Sequence, residues 1–461
     1  MNIMCTFLRP SVLRVTLSVA GSDCGGGAGI QADIKTFSAL GVFGCSVITA
    51  VTAQNTSKVI RISPLTSEII SSQFKAVMSD FKLDAVKVGM VYDAEIMKEV
   101  CRGLKNATIP IVVDPLLVSG TGFDLILKDE LENFKELIIP ISYLLTPNLF
   151  EAEVLSGMKI NSQDSLLAAA NILLDMGAKN VIIKGGHSLT KTITDFLLTH
   201  RRTVVTIERE RLKTDKLHGT GCNFSAAVTA YLAGQTQLEN ACRLANAYVY
   251  TGIASPIRVG RGSAIVDPSL VVHSNSDRFL VLRDLEAAVE DIESTESFGL
   301  LIPQTQTNIA YSVGQPVGLS DVAAVNGRIA RIGDRAKAVD RIRFGASKHV
   351  ASAILSYMKK NPLKRSAINI RYDLKLLEIC RRSYSISSYD RQAEPQRRKE
   401  TEGMSIEWGV RKALETNSRA EVIYHLGDMG KEPMILVFDR NPVALVRKVD
   451  SILNKYLAET A

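Results

Sequence analysis

The residues His218-Gly219-Thr220-Gly221-Cys222 run without a break into the apolar stretch NFSAAVTAYLAG. Small residues at a helix start leave successive backbone N–H groups open to an anion, and the helix dipole adds favourable potential. A transferring phosphoryl group has the growing charge that such a row stabilises. A tight turn that merely starts a helix is the alternative for this segment alone. Cys222 shares the helix start, where a thiol is expected to ionise more readily and to accept a hydroxyl proton; a small packing residue is its other role. A second loop, AGSDCGGGAGIQADIKTFSALG (20–41), holds five glycines within nine residues and lets backbone approach a ligand closely. It does not fit G-x-x-x-x-G-K-[ST], which excludes a P-loop. Asp23 in this loop can bond a substrate or cap the next helix.

Farther along, GRIARIGDRAKAVDRIRFGASKHVA (327–351) carries Arg328, Arg331, Arg335, Lys337, Arg341 and Arg343, six cations in sixteen residues. Guanidinium forks bind phosphate oxygens in pairs, so a diphosphate is a natural ligand and nucleic acid the competing one. No helix-turn-helix pattern at 266–300, zinc spacing or RNA-binding aromatic motif supports nucleic acid.

Short β-branched runs must position these groups: VLRVTLSVA (12–20), AVKVGM (85–90), PIVVDP (110–115), SYLLTP (142–147), NVIIKGG (180–186) and TVVTI (203–207). Helical patterns such as 67–81 and 165–177 lie between several of them. This alternation predicts a mostly parallel sheet with helices on both faces and ligands at the strand ends. Residues 266–277 are turn-rich, and RFLVLRDLEAAVEDIEST reads as an acidic amphipathic helix opening a second α/β domain of unreadable topology. The expected domains are 1–268 and 277–461.

At 461 residues two cores are the sensible prior. No segment has the roughly 20 apolar residues that a membrane crossing needs, and the N-terminus does not read as a secretory signal. The seven cysteines are scattered with no C-x-x-C pair, so a reduced, cytoplasmic setting is expected. Residues 1–300 hold 28 Lys+Arg and 31 Asp+Glu, a balance of −3, whereas residues 301–461 hold 27 and 17, a balance of +10. The second part therefore suits an anionic partner.

Taken in order, AGSDxxGGAGIQADxKTFSALG, CSVITAVTAQNT (45–56), KVGM (87–90), VVDP (112–115), TPNLFEAE (146–153), KGGH (184–187) and HGTGC (218–222) resemble the hydroxymethylpyrimidine (phosphate) kinases of the ribokinase-like superfamily. The resemblance implies a ribokinase-like α/β fold and an enzyme using ATP and Mg²⁺. It sets a pyrimidine against Gly21, Ala28, Gln54 and Met90, with Asp23 nearby; the Gln54 amide can donate to and accept from an aminopyrimidine edge. Asp114, Asn148 and Glu151 fall where the superfamily organises Mg²⁺ and its waters, with Asp114 and Glu151 closest to the ion. Lys184 would neutralise ATP phosphates beside Gly219, Thr220 and Gly221, and Cys222 stands where many sugar kinases of this superfamily carry an aspartate base. His187 would pack or cap its loop. Cys24-Gly25 in place of the frequent Pro-Ser, the altered stretch PLLVSGTG (115–122) and Arg261 depart from the pattern without removing a charge or a metal ligand.

The motifs DVAAVNGRI, RFGASKHV, NIRY (369–372), SSYDRQAEP (387–395), MSIEWG (404–409) and YHLGDMGKEPMI (424–435) resemble the thiamin-phosphate synthase domain often fused behind such a kinase. This resemblance implies Arg328 and His349 as the active pair, with Asn369, Arg371, Asp390, Asp428 and Lys431 as lining residues. Small-molecule substrates, no nucleic acid, no membrane and a homo-oligomer are expected. The alternative is a pyridoxal-type vitamin kinase fused to a domain that senses thiamin phosphate without turning it over.

Overall fold

The computed structural model describes residues 13–118, 122–185, 191–212, 214, 217–394 and 404–460. His187 and part of the PLLVSGTG stretch lie outside them. The chain divides into two compact units, Met1–Val272 and His273–Ala461.

In the first unit a nine-stranded sheet runs in the order Val59–Pro64, Phe43–Gln54, Val15–Asp23, Ala85–Val88, Ile111–Val113, Leu144–Leu145, Val181–Ile183, Thr192–Leu198, Val204–Glu210. The six strands from Phe43–Gln54 to Val181–Ile183 are mutually parallel. Val59–Pro64 and the Thr192–Leu198/Val204–Glu210 pair are antiparallel to their neighbours. Ala85–Val88, Ile111–Val113 and Val181–Ile183 are buried throughout, as strands covered on both faces must be. One face packs on the helices Ser67–Asp80, Ala94–Leu104 and Gln163–Asp175 through Ile70, Met97 and Leu173. The other packs on Thr220–Ala233 and Leu238–Ala254 through Phe224, Val228 and Ala245.

Residues 270–277 form the first turns of one long helix, Leu270–Ser294, where a turn-rich junction is expected from composition. Its Ser and Asn residues are weak helix formers, and continuation into the helical segment that follows outweighs them.

The second unit is built on a seven-stranded sheet in the order Ile342–Phe344, Val322–Val325, Ile309–Ser312, Ser366–Arg371, Met434–Asp439, Val422–His425, Ile386–Ser388. The antiparallel pairings and the parallel pair at one edge make Val322–Val325, Ser366–Arg371, Val422–His425 and Ile386–Ser388 codirectional. Their C-terminal ends therefore share one edge of the sheet. Helices Leu270–Ser294, Leu374–Ser383 and Pro442–Thr460 cover one face. His349–Met358 and Met404–Thr416 cover the other.

The basic stretch does not form a single anion site. Much of it is a ribbon, Ile329–Ile332 paired with Arg335–Ala338, in which Lys337 meets Glu293 at 2.6 Å and Arg331 meets Asp334 at 3.4 Å. Arg343 faces Asp340 at 3.8 Å. Alternation along a ribbon spreads the charges over both faces, and only Arg328 of the six reaches the cavity described below.

Candidate active sites

A cavity of about 1730 Å³ in the first unit gathers Gly21, Asp23, Ala28, Gln54, Met90, Asn148, Glu151, Lys184, Gly219, Thr220, Gly221 and Cys222. The glycine loop in its wall is shaped by Asp23. Its carboxylate accepts N–H bonds from Gly25 at 2.8 Å, Gly27 at 3.1 Å and Ala28 at 2.9 Å. Burial pushes this carboxyl up, but the His218 bond and the Gly25 and Ala28 N–H groups outweigh it and hold it below the usual range. Asp23 thus organises the loop. Gln54 Nε2 lies 3.0 Å from His218 Nε2, which in turn sits 3.5 Å from Asp23 Oδ2. Gly21 has no side chain, so the Met90 thioether can lie over its backbone; a Cβ there would come within 2.8 Å of the sulfur.

Beside this loop lies a cradle of backbone N–H groups and a lysine. Gly219 opens the helix Thr220–Ala233 with φ of 86°, and a Cβ would meet the Gly27 carbonyl at 2.1 Å. Both the backbone twist and the close approach require glycine. The buried Asn223 holds the turn, donating from Nδ2 to the Gly219 carbonyl at 2.7 Å and accepting from Thr36 Oγ1 at 2.7 Å. Lys184 Nζ stands 3.0 Å from Asp114 Oδ1. Burial works against this ammonium, but Asp114 and Glu151 outweigh it and raise its pKa.

Asp114 is wholly buried beneath the cavity. It accepts from Thr146 at 3.1 Å and Ser225 at 3.2 Å. Asn148 and Glu151 cap each other at the start of Leu149–Ser156, with bonds of 2.9 and 2.8 Å. Burial, with Asp114 nearby, pushes the Glu151 carboxyl up to about 7.

Cys222 departs from the low-pKa thiol expected at a helix start. It is 5 % exposed, and burial drives the thiol up to about 11, against the opposing influence of the Lys87 charge and the Gly29 N–H. Loss of solvation outweighs the helix-end N–H groups.

Beneath Cys222 lies an ion pair that sequence reasoning passed over. Lys87 Nζ contacts both Asp33 oxygens at 2.7 and 2.8 Å, Ser18 donates to Asp33 at 2.6 Å, and both charged side chains are fully buried. A lysine between Val86 and Val88 in a strand buried on both faces is itself the signal, since such a charge demands a partner. Asp195 was missed for a different reason. It accepts the Gly185 N–H at 2.9 Å from a strand that composition did not reveal.

A second cavity, about 470 Å³, lies at the shared strand-end edge of the second unit. Arg328, His349, Asn369 and Lys431 line it, as do Arg391 and His425. Arg328 has φ of 74° and donates to the Thr305 carbonyl. Asn369 accepts the Asn308 N–H at 2.8 Å. Arg371 is not part of this lining; its guanidinium bonds the Tyr456 hydroxyl at 2.7 Å on the final helix. The strand ends as Arg371 leaves the cavity edge, so the side chain packs across to Pro442–Thr460. Asp390 and Asp428 are likewise outside the lining. Asp390 accepts the Gln392 N–H at 2.8 Å, and Asp428 bridges to Lys431 within a turn.

A mostly parallel sheet bearing an anion cradle and a carboxylate-paired lysine defines a ribokinase-like phosphoryl-transfer unit, followed by an α/β unit with its own cation-lined cavity. Residues 23–267 match the phosphomethylpyrimidine kinase family, and residues 284–451 match the family thiamine-phosphate synthase ThiN. The bifunctional thiamine biosynthesis protein ThiDN of Methanocaldococcus jannaschii is 32% identical over 453 residues, 96% of this chain and 99% of the relative. The hydroxymethylpyrimidine/phosphomethylpyrimidine kinase of Bacillus subtilis is 44% identical over 247 residues, 53% of this chain and 91% of its own. Pyridoxal kinase from Staphylococcus aureus in complex with ADP is a structural relative at 32% identity and a TM-score of 0.52, covering 56% of this chain and 94% of its own. The chain belongs to the thiamin-biosynthesis family that joins a phosphomethylpyrimidine kinase to a thiamine-phosphate synthase domain.

Proposed function

We propose that the kinase unit, residues 1–268, transfers the γ-phosphoryl group of ATP to hydroxymethylpyrimidine and then to its phosphate. The synthase unit, residues 277–461, then joins the diphosphate to thiazole phosphate, giving thiamin phosphate. The observation that carries this reading is one cavity lined both by an amide and a thioether, Gln54 and Met90, and by the Lys184–Gly219–Gly221 cradle. A flat nitrogen heterocycle and a polyphosphate are the ligands complementary to those groups.

In the kinase step the substrate hydroxyl attacks γ-phosphorus as ADP leaves with the bridging oxygen. Lys184 holds phosphate oxygens, and the N–H groups from Gly219 to Cys222 face the charge as it spreads over the transferred group. Cys222 accepts the hydroxyl proton once ionised.

Asp114 and Glu151 fit a magnesium ion held mainly by nucleotide oxygens and water. They supply two carboxylates, and among the described residues no group of three or more His, Cys, Asp or Glu forms a complete protein cage. When bound, Mg²⁺ would neutralise the β- and γ-phosphate charge.

In the synthase step the thiazole nitrogen's lone pair forms the new bond to the pyrimidine methylene carbon. Diphosphate departs with the electrons of the C–O bond, and Arg328 and His349 receive it. A cytoplasmic site of action fits a biosynthetic chain in which no described helix is long and apolar enough to cross a membrane.

The test supplies purified full-length chain with hydroxymethylpyrimidine, thiazole phosphate, ATP and Mg²⁺ and follows thiamin phosphate. Formation of thiamin phosphate, with pyridoxal a poorer phosphoryl acceptor, is the expected result. A preference for pyridoxal with no diphosphate formed would overturn the kinase assignment. A chain that binds thiamin phosphate yet never forms it would make the second unit a sensor.

A further inference from the structure

We propose that Arg391, on the flank of the second cavity opposite Arg328, anchors the phosphate of the thiazole substrate. This rests on the synthase reading, which requires two anionic substrates in one cavity and assigns Arg328 to the diphosphate alone.

Arg328 follows the strand Val322–Val325 by three residues, and Arg391 follows the strand Ile386–Ser388 by three. These strands are second and seventh in the seven-stranded order and run in the same direction. The two arginines therefore enter one cavity from opposite flanks of the same sheet edge. Between them the lining includes Val350, Ile406, Met434 and Leu436. Two cationic flanks, with these apolar side chains and the amides of Asn308 and Asn369 between them, suit two flat rings, each trailing an anion outward, whose reacting atoms meet at the centre.

Arg391 is poised for an absent partner. It is 7 % exposed, its Nε makes no hydrogen bond, and among the described residues it forms no ion pair. Glu394, three residues on, is also buried and does not pair with it. A guanidinium cannot shed its charge, so burial without a partner is a standing cost that a ligand anion would relieve. Lys431 is a third cation in the lining, beside Arg328 and Arg391.

His425 completes this flank as an uncharged donor. Its Nδ1 accepts the Gly427 N–H at 3.1 Å, which leaves Nε2 to carry the proton. Burial, then the charges of Arg391 and Lys431, depress the imidazole pKa to about 4. The Tyr389 ring, 5.2 Å away, backs the histidine.

The experiment uses the full chain and varies one synthase substrate at a time. Arg391→Gln should raise KM for thiazole phosphate ~10–100-fold, the range for losing a charged hydrogen bond, while KM for the pyrimidine diphosphate stays within about twofold. Arg391→Lys should fall between. Turnover of the unphosphorylated thiazole alcohol, which never engages the guanidinium, should be unchanged, so preference for the phosphate collapses. The melting temperature should hold or rise, because an unpaired buried charge has been removed; a structural arginine would lower it.

Equal increases in both KM values, or an equal loss with the alcohol, would overturn the assignment. Should the unsubstituted chain form no thiamin phosphate, the synthase reading itself fails. The anion site is then judged by quenching of Trp408, the sole tryptophan, on titration with inorganic phosphate. Weakened quenching in Arg391→Gln supports the site, and an unchanged titration rejects it.

Discussion

At the residue scale, Cys222 shows how strongly position within a helix start depends on depth. A thiol with a pKa of about 11 is protonated in the free enzyme, and its ionised fraction grows tenfold per pH unit below that value. If it accepts the substrate proton, kcat of the kinase rises ~10-fold per unit between pH 7 and 9, within the linear regime of a titrating base. Cys222→Ala should then lower kcat at least ~10²-fold and flatten the profile, with little change in nucleotide affinity. A pH–rate comparison of the two proteins checks this, and equal rates with parallel profiles would assign the thiol to packing. Motif wording made Gln54, Lys184 and Cys222 legible in the sequence. His218 sat inside the same wording, yet its contact with Gln54 depends on strands that lie far apart along the chain. The depth of Cys222 depends in turn on Lys87, Asp33 and Asp114 around it, none of which spacing alone can place.

At the scale of elements, the Asp33–Lys87–Ser18 network joins the helix Gly29–Ala39 to the strands Ala85–Val88 and Val15–Asp23. Removing one charge leaves its partner buried and alone. Lys87→Met should therefore destabilise by about 3–5 kcal/mol, whereas Asp33→Leu with Lys87→Met should recover much of that. Calorimetric unfolding of the three proteins measures it, and an additive double variant would refute the coupling.

His425 gives the second unit a distinct pH signature. An ordinary histidine in the unfolded chain takes up its proton near 6.5, and the folded one near 4. Between those values the unfolded state binds more protons, so stability falls as pH drops through the window. The loss approaches about 3 kcal/mol by pH 4. Denaturant unfolding read by Trp408 fluorescence should show this, and His425→Gln should flatten it. Phe43–Gln54 was read only as motif wording, whereas the other five parallel strands of the first unit were legible from their β-branched runs. The antiparallel strands Val59–Pro64 and Thr192–Leu198 were not, because exposed and intermediate positions interrupt their apolar pattern.

For the whole molecule, two separate cavities imply separable chemistry. Arg328→Ala should reduce thiamin phosphate formation ~10²–10³-fold, the scale of losing one preorganised charge-stabilising donor, while phosphorylation of the pyrimidine proceeds at the parent rate. His349→Ala should behave alike. Product analysis of the coupled reaction would then show pyrimidine diphosphate accumulating, and parallel loss of both activities would count against two independent sites. The charge asymmetry of the chain was plain from composition, but its meaning was not. Lys337, Arg331 and Arg343 of the basic stretch face carboxylates rather than the second cavity, and the cation assigned to its other flank, Arg391, lies outside that stretch. The topology of the second sheet also sets an order of assembly during synthesis. Met434–Asp439 is its last strand in the chain, yet it lies between Ser366–Arg371 and Val422–His425. A nascent polypeptide that has not yet released this segment has a gap in the middle of its sheet and no floor beneath the strand ends. The kinase unit's strands are all synthesised long before, so phosphorylation competence precedes condensation competence on the ribosome.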